Sequence, residues 1–132
     1  VLATRWFENP RVRLGTALFT ISLVISGCEG KAPVAPPGLL LSRQAQQAGA
    51  AIFAANCTIC HGENGDGRGQ RREGMVPPPA NLKQPPWSDP GSAGRAFLAI
   101  RNGVRGTAMP AWRTFSDQEI WNVVAYIVGL KG

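Results

Sequence analysis

The chain has one histidine, His61, three cysteines and two methionines among its 132 residues. That scarcity excludes several chemistries. A structural zinc site takes four Cys or His ligands, and beyond Cys57, Cys60 and His61 only Cys28 remains, far upstream. Three cysteines also offer no obvious disulfide framework. Long apolar runs are missing too. The stretch from Leu14 to Ile25 falls short of the ~20 residues that cross a bilayer. Acidic residues are few, 8 against 14 lysines and arginines, for a formal charge of +6. Part of that excess is N-terminal: removing residues 1–27 takes away Arg5, Arg11, Arg13 and Glu8 and leaves +4. The run from Arg68 to Arg72 reads as a solvated loop, so the balance does not point to nucleic acid.

What is present is concentrated in Cys57-Thr58-Ile59-Cys60-His61. Two thiols spaced C-x-x-C can each add to a haem vinyl group, and the adjacent imidazole can then ligate the iron. C-x-x-C-H reads as c-type haem attachment. Thiol redox chemistry is the competing reading, but it wants a βαβ context, and the flanks here are helical in pattern. A second axial ligand is available downstream in Gly106-Thr107-Ala108-Met109-Pro110-Ala111-Trp112, where a Gly/Pro-punctuated loop can aim a thioether. The other methionine, Met75, precedes the stiff stretch Val76-Pro77-Pro78-Pro79, and Met109 is preferred over it. Met/His ligation raises the potential of the iron and fills both axial positions.

From Gly49 to Leu130 the chain resembles the class I monohaem cytochromes c with His/Met ligation, particularly small bacterial ones and the c-type domains of respiratory complexes. The resemblance rests on an ordered set: Gly49-x-x-x-Phe53-x-x-x-Cys57, Cys60-His61-Gly62, Pro79-Ala80-Asn81-Leu82, Ile100-x-x-Gly103, Met109-Pro110-Ala111-Trp112 and Ala125-Tyr126-Ile127. It implies an all-α small cytochrome c fold, three to five helices wrapped around one covalent haem c. It further implies an electron carrier whose partners are donor and acceptor redox proteins, and a proline carbonyl, best mapped to Pro79, that orients His61. Gly49 would be the point where the last helix crosses the first, near Tyr126. On that view Gly49→Leu overpacks the crossing, whereas Gly49→Ala is milder because helix propensity gains up to ~1 kcal/mol.

The chain divides into three parts. In residues 1–27, arginines precede an apolar run and small residues, the layout of a signal peptide. Ile25-Ser26-Gly27-Cys28 resembles a bacterial lipobox, which would make Cys28 a lipidated N-terminus. An uncleaved membrane anchor and ordinary soluble secretion are the alternatives. Every version places the domain outside the cytoplasm, and the tethered ones place it on the periplasmic face of a membrane in the bacterial envelope. Residues 28–41, with Pro33, Pro36 and Pro37, read as a semi-rigid tether. Residues 42–132 form the haem domain. Its first helix is expected from Ser42 to Asn56, its middle helix from Gly94 to Asn102, and its last after a Ser116-x-x-Glu119 capping box, ending near Gly129. His61 to Gln84 reads as a Gly/Pro-rich loop. Leu82 and Trp87 are expected to wall the haem or, equally, to pack in the core, while Trp112 and Trp121 would bond a propionate or shield an edge.

Electron transfer by a membrane-tethered monohaem cytochrome is the leading functional expectation, as a shuttle or as a subunit of a redox complex. The alternative is a ligand-sensing or peroxidase-like haem module with a displaceable Met109. Both require the same haem site.

Overall fold

A computed structural model describes residues 31–84 and 91–130. Cys28, the leader-like segment and Trp87 lie outside them. The described residues form four α-helices with no strand among them. Ser42 caps α1 (Arg43–Asn56), its hydroxyl oxygen accepting the Ala45 N–H, and the helix buries Ala45, Gly49 and Phe53 along one stripe. After Cys57 the chain enters a single further turn, α2 (Thr58–His61). α3 (Ser92–Asn102) starts two residues before the expected Gly94 and stops at Gly103. α4 (Asp117–Gly129) opens on the expected capping box: the Ser116 oxygen accepts from Glu119 N–H, and the Glu119 carboxylate accepts from Ser116 N–H at 2.7 Å. Gly129 is the last helical residue rather than a left-handed cap, and Leu130 follows it in right-handed geometry.

The core forms where α1 and α3 pack on α4. α1 and α4 are the most extensively packed pair, and they touch backbone to backbone. A Cβ built on Gly49 would lie 1.9 Å from the carbonyl oxygen of Asn122. One turn further along, the Phe53 and Tyr126 rings meet at 5.1 Å between centroids. Phe97 of α3 packs on Trp121 of α4 at 4.6 Å. Arg101 ties the end of α3 to the start of α4: it donates to the Phe115 carbonyl at 2.9 Å, pairs with Asp117, and sits over the Phe97 ring.

Part of the Pro-rich segment is not a free spacer. Ala35, Leu39 and Leu40 pack against the core, a 3-10 turn forms at Leu39–Leu41, and Gln46 donates to the Leu40 carbonyl at 2.9 Å. Pro33 reaches α3, where its carbonyl oxygen would lie 2.4 Å from a Cβ on Gly94. The apolar run after the prolines has surface to bury, and burial outweighs the stiffness that argued for an extended spacer. Residues of the 28–41 segment thus contact the helices of the described chain.

Candidate functional site

The site begins where α1 runs out. Cys57 still donates its N–H to the Phe53 carbonyl at 2.8 Å and serves as C-cap of α1. The His61 N–H in turn donates to the Cys57 carbonyl at 2.9 Å, so α2 continues from α1 with only Cys57 between them. That single turn puts Cys57, Cys60 and His61 on the wall of one cavity of about 580 Å³, within the ~300–1,000 Å³ typical of cofactor pockets. Phe53 of α1, Ile100 of α3, and Val123 and Ile127 of α4 supply apolar walls, with Leu82 from the loop after α2. Met109, on the loop between α3 and α4, lines the same cavity, as does Pro79. Five sequence-derived candidates therefore converge, and Cys28 is the one outside the described residues.

The partner of His61 differs by one residue from the expectation. Nδ1–H donates to the carbonyl oxygen of Ala80 at 3.1 Å, not to that of Pro79. The Pro79 carbonyl is turned against Gly67, where a Cβ would lie 2.5 Å away, and Gly67 N–H is bonded to the His61 carbonyl at 2.8 Å. Gly67 thus occupies the space beside Pro79 that any side chain would fill, and the next carbonyl along faces the ring. With Nδ1 engaged, Nε2 is left for a metal, the usual arrangement of a ligating imidazole.

Burial holds the His61 imidazole below its ordinary pKa, and the Ala80 bond only partly opposes that. The ring is accordingly neutral at pH 7, the form an iron ligand needs. The Cys57 thiol is pushed up to about 11, by burial first and by neighbouring Cys60 second. Catalytic redox thiols have the opposite character, since their pKa is lowered to favour the thiolate. No disulfide joins Cys57 and Cys60. Two thiols, a neutral oriented imidazole and a thioether around an apolar cavity fit a covalently held haem.

Two methionines line the cavity, not one, but they differ in support. Met109 packs against the hydrophobic core and its N–H is bonded within its loop, whereas Met75 follows Gly74 in an exposed stretch and precedes Val76, which is 89% exposed. Trp112 lines the cavity and stacks on Phe115 at 5.1 Å. Trp121 does not line it and belongs to the core with Phe97. Sequence reasoning missed Ala80 and Thr107. Nothing local marks Ala80, because a backbone carbonyl acts there. Thr107 carried a usable signal, a hydroxyl two residues before Met109 in a turn.

A helical shell closing over such a cavity defines a monohaem c-type cytochrome, and comparisons place the chain more narrowly. Residues 44–127 match the family described as cytochrome c oxidase, cbb3-type, subunit III. The Cbb3-type cytochrome c oxidase subunit FixP of Azorhizobium caulinodans is 43% identical over 89 residues, covering 67% of this chain and 28% of that protein. The subunit CcoP of Cereibacter sphaeroides is 36% identical over 88 residues, covering 64% and 27%. The chain belongs to this family and carries a covalently bound haem c. It spans little more than a quarter of the length of those relatives. The reducing HAO-like protein complex of Kuenenia stuttgartiensis shares the fold, with a TM-score of 0.60 at 24% identity over 69% of this chain and 46% of that one.

Proposed function

We propose that this chain is the electron-carrying haem domain of a cbb3-type respiratory complex, with haem held by thioethers to Cys57 and Cys60 and ligated axially by His61 and Met109. The convergence of those four side chains on one apolar cavity carries the reading. The haem, when bound, supplies a one-electron iron couple. The protein's part is orientation and exclusion. The Ala80 carbonyl fixes the imidazole ring, burial favours its neutral form, and the apolar walls would keep water from a bound haem. Met109, held against the core, would supply the iron's second protein ligand, which favours electron transfer over substrate chemistry at an open site.

The electron donor and acceptor are other redox proteins of the complex. We place the domain on the periplasmic face of the membrane, anchored by lipid on Cys28. That placement is supported by the apolar run and the small residues directly before Cys28. The ligand assignment is tested by two variants. Met109→Ala should lose the weak long-wavelength sulfur-to-iron band and lower the potential by ~0.1 V or more. Met75→Ala should keep both. The opposite pattern would transfer the ligand role to Met75.

A further inference from the structure

The loop from Val104 to Met109 closes on itself. Val104 N–H donates to the Met109 carbonyl at 3.2 Å, and Thr107 N–H donates to the Val104 carbonyl at 3.2 Å. The Thr107 hydroxyl then bonds both ends of the loop. It donates to the Val104 carbonyl at 2.8 Å and accepts the Met109 N–H at 3.1 Å. Past Met109, Trp112 N–H donates to the Ile100 carbonyl at 2.9 Å, so the far side of the loop is fastened to α3. Met109 is therefore held by the Trp112 anchor on one side and, on the other, by the Val104 bond to its carbonyl and the Thr107 hydroxyl on its N–H. Thr107 itself is half-buried and lines the cavity. Of its two bonds, the one to the Val104 carbonyl is exposed and the one from the Met109 N–H is partly buried.

We infer that Thr107 is a positioning residue that clamps the Met109 loop, and so sets how easily a small nitrogenous ligand displaces the Met109 thioether from haem iron. The inference rests on Met109 being the axial ligand. Displacement requires the loop to open, and an external ligand binds with an apparent affinity scaled by the fraction of open loop. Opening breaks the two hydroxyl bonds as well as the backbone bonds. Thr107→Val keeps the shape and removes only the hydroxyl, which raises the open fraction without touching the iron's ligands. Thr107→Ser keeps the hydroxyl and removes a methyl group.

The test is an imidazole titration of the oxidised, haem-loaded protein, following loss of the sulfur-to-iron band. Thr107→Val should bind imidazole roughly five- to thirtyfold more tightly than the parent, the factor set by losing one or two ordinary hydrogen bonds. Thr107→Ser should stay close to the parent. An unchanged affinity in Thr107→Val overturns the clamp, and so does a shift in Thr107→Ser as large as in Thr107→Val, which would implicate side-chain volume. Met109→Ala separates this from the underlying assignment. If that variant keeps the band, the ligand reading fails and the clamp with it; if it loses the band while Thr107→Val is unchanged, only the clamp fails. Should Thr107→Val not load haem, Thr107→Ala set against Thr107→Ser decides the same question.

Discussion

Gly49→Ala adds one methyl group where α1 and α4 touch, and the structure makes that addition expensive. The new Cβ would lie 1.9 Å from the Asn122 carbonyl oxygen, 2.4 Å from its carbon and 2.9 Å from Val123 N. All three are backbone atoms of α4, so no side chain can swing away and the helices must separate. Overpacking of this kind costs ~1–3 kcal/mol or more, against a helix-propensity gain of up to ~1 kcal/mol. The clash wins, so alanine, although milder than leucine, is still a net loss. A net loss of ~1–2 kcal/mol should lower the thermal midpoint by on the order of 10 °C for a domain of this size, and Gly49→Leu should lower it further. Gly129→Ala is the control, because a Cβ there meets only the Gln46 side chain, at 3.3 Å. Thermal unfolding of the haem-loaded protein, followed by far-ultraviolet circular dichroism, measures both. A Gly49→Ala midpoint equal to or above the parent would refute the backbone-contact argument.

Two further outcomes are expected. The Ser116 N–H and hydroxyl hold the Glu119 carboxylate below its ordinary range, so its charge contributes stability above about 4.5, its ordinary value, and that contribution is lost as pH falls through the lowered value. The midpoint gap between parent and Glu119→Gln should therefore be widest near neutral pH and narrow in acid, whereas a constant gap would count against the capping carboxylate. If Cys28 is lipidated, intact mass should show a chain beginning at Cys28, with haem and two or three acyl groups, and attachment should be stable because more than one chain is anchored. A protein that retains residues 1–27 and carries no acyl mass would establish the uncleaved anchor instead.

Local chemistry made much of this protein legible. Ser42 and the Ser116/Glu119 box announced the starts of α1 and α4 because capping is a matter of a few adjacent residues. Cys57, Cys60 and His61 could be singled out because covalent attachment calls for residue types at fixed spacing, and the structure brings them to one cavity wall. What failed depends on partners distant in sequence. α2 is one turn that continues from α1 and has no stripe of its own. The choice of Ala80 over Pro79 is decided by Gly67, across a loop. The packing of Ala35, Leu39 and Leu40 depends on a core surface that no local pattern in that segment reveals. Trp112 and Trp121 carry the same indole, yet one lines the cavity and the other is core.

The helix crossing and the cavity are one construction. Gly49 and Cys57 lie two turns apart on the same helical run, the first against the α4 backbone and the second at the cavity wall. Val123, whose backbone nitrogen faces Gly49, also lines the cavity together with Ile127. The depth of the crossing therefore sets the distance between the thiols of α1–α2 and the apolar wall supplied by α4. A substitution that pries the helices apart at Gly49 should widen the cavity at Cys57 as well as destabilise the core. If Met109 ligates the iron as proposed, Gly49→Ala is expected to weaken the sulfur-to-iron band, and not only to lower the thermal midpoint. A purely structural glycine, unconnected to the site, would lower the midpoint and leave the band untouched.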